Sequence, residues 1–272
     1  MKRKIITLLT FFTAVIMLIG AGGCSKSNND TTPTPARKST YNLKVKDVLG
    51  VTGTATFIET SGTVTTIDLV LTGAPSGTHP AELCMNSAVE GGTVVLTLNP
   101  VDATGKSSTV VNTKTYTQLI AYDGFINVLK SSAEPTIILV QGDIGGNVIT
   151  TTQKSYSLDT IGSFGVSGTA LFEKRVNGST LLTIMLTGTI AGEAYPATIN
   201  LGSIATIGGG PVVKALNNVD GTTGKGYTNI RKLDSGINIT YDNWLVYDGY
   251  LNIYQTSVSS GNIISHGNIG SN

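Results

Sequence analysis

Short runs in which aliphatic and β-branched residues alternate with polar ones follow one another from Tyr41 to the C-terminus. Thr65-Thr66-Ile67-Asp68-Leu69-Val70-Leu71, Thr93-Val94-Val95-Leu96-Thr97-Leu98 and Leu181-Leu182-Thr183-Ile184-Met185-Leu186 are three of them. Successive side chains of a strand point to opposite faces, so a period of two predicts strands with one buried face. Gly, Asn and Pro, which favour turns, break the runs. No capped helical pattern of useful length interrupts them. Asp123-Gly124 and Asp248-Gly249 supply turn chemistry ahead of two of the strands, since glycine takes positive φ without strain and aspartate bonds a nearby amide. In the first, alternation sets Ile126 and Val128 against Phe125, Asn127 and Leu129; in the second, Leu251 and Ile253 stand against Tyr250, Asn252 and Tyr254. The purely aliphatic side is expected to face the core.

The pattern occurs twice. Gly50-Val51-Thr52-Gly53-Thr54-Ala55-Thr56-Phe57 matches Gly165-Val166-Ser167-Gly168-Thr169-Ala170-Leu171-Phe172, and Leu71-Thr72-Gly73 matches Leu186-Thr187-Gly188. His79-Pro80-Ala81 then faces Tyr195-Pro196-Ala197, Leu98-Asn99 faces Leu216-Asn217, and Tyr122-Asp123-Gly124 faces Tyr247-Asp248-Gly249. Gly142-Asp143-Ile144-Gly145-Gly146-Asn147 closes the first copy as Gly267-Asn268-Ile269-Gly270-Ser271-Asn272 closes the second. The separation of matched residues grows from 115 (Gly50 to Gly165) to 125 (Thr115 to Thr240). Copy two therefore carries insertions, expected in loops because an insertion within a strand would turn its side chains to the wrong face. Two domains follow, residues 41–148 and 156–272, each near the common domain size. Regular short strands with intervening turns predict an antiparallel sandwich or barrel in each.

Residues 1–23 read as an export signal, with Lys2-Arg3-Lys4 ahead of the apolar run Ile5 to Ile19, which is short for a membrane span. Gly20-Ala21-Gly22-Gly23-Cys24 resembles the lipobox of bacterial lipoproteins, with Ala21 where leucine is usual. The resemblance implies that Cys24 is the lipidated mature N-terminus, anchored by more than one acyl chain, and Ser25 after it implies sorting to the outer membrane. Residues 24–40 are polar and contain Pro33 and Pro35, the composition of a disordered tether. The only other cysteine, Cys84, has no partner left in the chain. It reads as a small buried residue, with a reactive thiol as the alternative.

Charge narrows the partners. Only 13% of residues are charged, the formal net charge is +1, and no lysine or arginine cluster occurs along the chain beyond the extreme N-terminus. Nucleic acid is therefore not an expected partner. Gly105-Lys106-Ser107 is no phosphate loop, because Pro100 stands where the first glycine is required. Asp102, Asp220, Asp123, Asp248 and Asp143 are expected to form turns. Asp143 becomes Asn268 in the copy, which suits an acceptor for backbone amides and not a proton carrier.

Taken together, the GVxGTAxF opening, the LTG, the Pro-Ala, the YDGxxN strand and the closing GxIGxN resemble the chordin-type (CHRD) domain found in tandem in bacterial secreted proteins and lipoproteins. The resemblance spans Tyr41 to Asn272 and implies an all-β fold of two tandem immunoglobulin-like antiparallel β-sandwich domains. Bacterial members often carry a His-rich segment after the LTG. Here it reads His79-Pro80-Ala81-Glu82-Leu83-Cys84 and Tyr195-Pro196-Ala197-Thr198-Ile199-Asn200. His79, Glu82 and Cys84 are the conceivable metal ligands, but mixed ligands with no counterpart in copy two argue for no metal and no cofactor.

The reading that follows is a non-enzymatic, surface-associated lipoprotein, held on the membrane through Cys24, that binds a protein or glycan ligand. Copy two has gained aromatics, with Tyr195 for His79, Trp244 for Leu119, Tyr250 for Phe125 and Tyr254 for Leu129. Exposed rings on a sheet can stack on sugars. Tyr250, Tyr254, Trp244 and Tyr195, with Asn252 between the strand tyrosines, are thus the candidates for an alternative carbohydrate-binding role.

Overall fold

The computed structural model describes residues 36–256 and 261–272. The export signal, Cys24 and the tether up to Pro35 lie outside the described residues. The first repeat comprises β1 (Lys38–Val45), β2 (Thr52–Glu59), β3 (Thr65–Thr72), β4 (His79–Met85), β5 (Val94–Val101), β6 (Lys106–Val111), helix α1 (Tyr116–Ile120), β7 (Asp123–Leu129) and β8 (Ile138–Gly145). The second repeats the order: β9 (Ile149–Thr160), β10 (Ser167–Arg175), β11 (Thr180–Thr187), β12 (Ala194–Leu201), β13 (Val212–Asp220), β14 (Lys225–Ile230), α2 (Tyr241–Trp244), β15 (Asp248–Tyr254) and β16 (Ile263–Gly270).

All named strands pair antiparallel. In the second repeat they close into a barrel ordered β10-β11-β14-β13-β12-β15-β16-β9, and the first has the same neighbours, β5-β4-β7-β8-β1-β2-β3-β6. There β5 and β6 meet at a turn in which the Asp102 N–H bonds the Lys106 carbonyl at 2.9 Å. The all-β, antiparallel expectation stands. A sandwich would have two separate sheets; here β1 pairs β2 through Lys38–Leu43 and then β8 through Lys44–Val45, joining the halves into one eight-stranded, nearly closed sheet. Closure leaves few unpaired edges to recruit other strands.

The expected faces fill each interior. Ala55, Phe57, Ile67, Leu69, Leu83, Ile126 and Val128 form one core, and Ala170, Phe172, Ile184, Ile199, Leu251 and Ile253 the other. The phenylalanine of each GVxGTAxF takes a tyrosine edge-on, Tyr41 on Phe57 at 5.3 Å and Tyr156 on Phe172 at 5.4 Å. The LTG glycines have φ of +75° at Gly73 and +78° at Gly188, and a Cβ on either would lie 2.3 Å from the carbonyl oxygen of Gly50 or Gly165. Only glycine fits such a position. The short helices escape the sequence pattern, but each carries a capping box, Thr115 with Gln118 and Thr240 with Asn243. The signal, Thr-x-x-Gln and Thr-x-x-Asn, is visible in the chain yet too short to show helical periodicity. Each helix sets two side chains into the core, Tyr116 with Leu119 and Tyr241 with Trp244.

The two barrels are locked together. β8 ends at Gly145 and β9 begins at Ile149, and the turn between them bonds the β10–β11 turn through Asn177 N–H to Gly146 O (3.1 Å) and Val176 N–H to Val148 O (2.9 Å). Arg175, 0% exposed, donates to the Asn147 carbonyl and to Asp143 Oδ2 at 3.1 Å. Asp143 Oδ1 accepts the Ala88 N–H at 2.7 Å. Burial holds the Asp143 carboxyl above the usual carboxylate range, against the opposing pull of that amide and of the guanidinium. Glu90 accepts the Asn229 N–H at 2.8 Å, and Asp123 accepts from Asn177 Nδ2 at 2.6 Å and pairs with Arg231.

These links explain one departure from the predicted faces. Phe125, Leu129 and Cys84 are buried although they point away from the first core, and so is Leu181 of β11 although it belongs to neither core. Asp143 lies opposite Phe125 in the β7–β8 register, and Asn229 lies opposite Leu181 in the β11–β14 register. The bonds to Arg175 and Glu90 therefore draw the outer face of β4, β7 and β8 onto the outer face of β10, β11 and β14, and each covers the apolar side chains of the other.

Arg175→Ala is expected to lower the unfolding free energy by about 3 kcal/mol, the low end for breaking a buried pair, because Asp143 can take a proton instead. In this variant the carboxyl is raised further. Its folded form then gains stability as pH falls toward that raised value, and the deficit against the parent protein shrinks on acidification. Replacing both partners, Arg175→Met with Asp143→Asn, should recover much of the loss. Denaturant melts at neutral and mildly acidic pH check all three outcomes.

Candidate functional site

The tandem aromatics do not form an exposed platform. Trp244 is 0% exposed and packs between Phe172 (6.0 Å) and Tyr247 (4.9 Å). Tyr195 is buried with its hydroxyl accepting the Ile190 N–H at 2.8 Å, and Tyr250 is buried with its hydroxyl accepting the Gly210 N–H at 2.8 Å. Tyr254 is half-buried, its hydroxyl 3.3 Å from Thr198 Oγ1, and Asn252 is buried. Alternation does bring Tyr250, Asn252 and Tyr254 to one side of β15, but the β12–β13 loop folds over Tyr250. The expectation of stacking rings is corrected: the rings fill core or tie down loops.

His79, Glu82 and Cys84 do not converge. His79 is buried on the side of Ala81 and Leu83, and its two ring nitrogens lie 2.6 Å from the Lys130 carbonyl and 2.9 Å from the Pro75 carbonyl. Both nitrogens are thereby directed at backbone oxygens and neither is turned toward a metal. Glu82 and Cys84 occupy the opposite side of β4, where Cys84 meets Phe125 in the β7 register. Burial pushes the Cys84 thiol up to about 11, with the Glu82 charge adding to the shift. Nucleophilic and metal-ligating thiols need the ionised form, so this one is a packing group.

Asp102 and Asp220 are turn formers, as expected, whereas Asp123 and Asp143 lie in β7 and β8 and carry contacts between the barrels. Asp102 Oδ1 accepts from the Thr104 hydroxyl and N–H, and Asp220 Oδ1 from the same groups of Thr223. Asp143 and Asn268 make the same bond in their respective repeats, to the N–H of Ala88 and of Ile204. The closing asparagines also match: Asn147 donates to the Asn86 carbonyl and Asn272 to the Gly202 carbonyl at 3.0 Å.

Where the barrels meet, they leave a cleft of about 920 Å³. The first repeat lines it with Met85, Asn86, Glu90, Lys114, Gln118, Ala121, Tyr122 and Asp123, and the second with Lys214, Asn229, Arg231 and Lys232. The two acids are engaged. Asp123 pairs with Arg231, and Glu90 accepts from the Ser87 hydroxyl (2.7 Å) and the Asn229 N–H. Lys114 lies over the Tyr122 ring, 5.2 Å from its centroid, and Lys214 pairs with Asp234 at 2.6 Å. Neither Lys114 nor Lys232 has a carboxylate within ion-pair distance among the described residues. The cleft thus presents four cations with amide side chains between them.

Sequence reasoning missed this site because the cations are dispersed along the chain and converge only when the barrels lock. A signal was nonetheless present in the comparison of the copies. The strand registers place Lys214 at the position of Leu96, and Asn229 at that of Val110. Continuing past the strand, Arg231 and Lys232 stand where the first copy has Asn112 and Thr113. Part of the insertion in copy two also falls here, since the separation is 119 at Lys106 and Lys225 and 125 at Thr115 and Thr240. It forms a small hairpin, with Lys232 bridged to Asn238 and Leu233 N–H on the Ile237 carbonyl (2.9 Å). Asp234 pins that hairpin to β13 by accepting the Ala215 N–H at 2.6 Å.

The chain matches no protein-family model, no curated protein and no solved structure.

Cys84 is a reporter of the junction. With its thiol at about 11, roughly one molecule in a thousand is ionised at pH 8. Native protein is expected to resist a disulfide reagent at that pH and to react within the mixing time once denatured, and Arg175→Ala should react faster than the parent. Colorimetric thiol titration checks this; rapid labelling of the native protein would contradict the packing described.

Proposed function

We propose that this chain is an exported, lipid-anchored, non-catalytic binding protein whose ligand site is the cleft between its two barrels. The carrying observation is that every cation the second repeat contributes to the cleft replaces an uncharged residue of the first. Two copies of one fold need the same core and turns. They do not need lysine or arginine at these positions: Lys214 pairs with Asp234 and Arg231 with Asp123, and Lys232 is left to what the cavity holds. Placement in a concavity between two domains also suits a ligand site.

The non-catalytic part of the proposal is supported by the engagement of the candidate groups elsewhere. The turn aspartates are committed to backbone amides, the ring nitrogens of His79 to carbonyls, and the Cys84 thiol to packing. The address rests on the sequence: the charged and apolar start, the small residues before Cys24, and the polar segment after it. Kinship with CHRD domains is part of the same proposal, supported by the family-like motifs occupying equivalent strands and turns in both repeats. The first barrel, joined from two four-stranded halves through β1, is read as a closed variant of the sandwich that kinship implies.

Two experiments test the reading. Cys24→Ala should abolish incorporation of labelled fatty acid and shift the protein from the membrane pellet to the soluble fraction; unchanged labelling would exclude Cys24 as the anchor. For the cleft, Ala121→Trp places a large ring at an exposed position of its lining with no change expected in melting temperature. Ligands found by screening immobilised glycans and extracellular proteins should bind the parent protein and not the variant. Binding that survives the tryptophan, or substrate turnover by the parent, would overturn the proposal.

A further inference from the structure

Building on the cleft as the ligand site, we infer that its ligand is an acidic oligosaccharide, a chain of sugars carrying carboxylate or sulfate groups. Charge sets the first requirement. Lys114 and Lys232 face the cleft from opposite repeats and have no carboxylate partner among the described residues, while Glu90 and Asp123 are already satisfied. An incoming anion thus meets two ammonium groups that have not been neutralised, one on each wall. A neutral ligand would leave them without a role, and a cation would be repelled.

The groups between the lysines set the second requirement. Asn86, Gln118 and Asn229 line the cleft with amide side chains, and Tyr122 with a phenol. The internal bonds engage Gln118 and Asn229 through their oxygens and Asn86 through one N–H, leaving N–H donors on all three that suit sugar hydroxyls. An acidic peptide is a poorer fit. Extended peptides are held through main-chain bonds to a free strand edge and through pockets for apolar side chains, and here the apolar lining reduces to Met85 and Ala121.

Lysine suits a ligand whose acids recur along a chain. Its ammonium is a compact charge on a flexible stem and does not demand the fixed planar geometry of an arginine fork. Arg231, which could impose that geometry, is held by Asp123 and lies 3.4 Å from Asn147 Oδ1. The hairpin that begins at Lys232 and fixes Lys214 through Asp234 contains part of the insertion in copy two. The insertion therefore steadies the cationic wall, whose Lys214, Arg231 and Lys232 stand at positions matched to Leu96, Asn112 and Thr113, while Lys114 of the first repeat stands on the opposing one.

The test measures binding of the intact two-repeat protein by calorimetry to a galacturonate tetramer, its fully methyl-esterified form, a sulfated galactose tetramer and a glutamate peptide of equal charge. Binding is expected for the galacturonate or sulfated tetramer, whichever of the two acidic groups the cleft prefers, with affinity falling as salt rises. Lys114→Ala with Lys232→Ala should weaken it by at least about tenfold at an unchanged melting temperature. Equal binding of the methyl ester, or of the peptide, would overturn the acidic-sugar inference. It would leave the cleft reading standing wherever Ala121→Trp abolishes that binding. Acidic-tetramer binding unaffected by the lysine replacements overturns the inference also. If none of the four probes binds, the inference fails, and the cleft reading is then decided by the screen with Ala121→Trp.

Discussion

Arg175 is a guanidinium removed from water, and the acceptors it reaches, both through Nη1, come from the other repeat, while Nε and Nη2 have no partner among the described residues. The Asn147 carbonyl and Asp143 belong to the first barrel; Arg175 belongs to the second. Burying one charge without the other is costly, whereas a matched pair is tolerated, so the barrels are held in one relative position. The apolar area between them could slide; the pair fixes where it stops. Cleft shape, burial of Cys84 and the spacing of Lys114 from Lys232 all depend on that registry.

The lock is directional. Its two halves are not repeated in the other copy, since the first copy has Thr60 at the position of Arg175 and the second has Asn268 at the position of Asp143. Asn268 keeps the bond to the following loop, through the Ile204 N–H at 2.9 Å, but carries no charge. The outer face of β15, counterpart of the docking face in the first repeat, is instead covered by its own chain. The β12–β13 loop is longer than its counterpart, the separation rising from 116 at Met85 and Leu201 to 118 at Leu98 and Leu216. It folds over Tyr250 and bonds its hydroxyl.

This asymmetry explains what the sequence disclosed and what it withheld. Strands, turns and the repeat were legible because they are local: alternation marks Ile126 and Val128 as core, and the Asp102 and Asp220 turns follow from the residues beside them. Whether eight strands stack as two sheets or run as one ring depends on β1 changing partners partway along, which alternation does not encode. The second buried face of β7 was hidden for a related reason. Phe125 and Leu129 are buried outside the core of their own repeat, so their burial leaves no periodic trace nearby. The gained tyrosines were noticed, but their exposure was not readable, because a longer loop uses one of them as its anchor.

The differences between the copies were the right place to look, though not the aromatic ones. Substitution between copies has two physical sources, adaptation to a different neighbour and acquisition of a ligand. Tyr250 for Phe125 belongs to the first, since its hydroxyl meets the Gly210 amide of the β12–β13 loop. Lys232 for Thr113 belongs to neither packing nor docking: the side chain is exposed, forms no ion pair among the described residues and lines the cleft. Arg231 for Asn112 is intermediate, with one hand on Asp123 at the junction and its flank along the cleft. Sorting the substitutions by what each side chain touches separates scaffold from site, and it leaves Lys232 as the gained group whose charge no contact within the described residues uses, facing Lys114 over the Tyr122 ring.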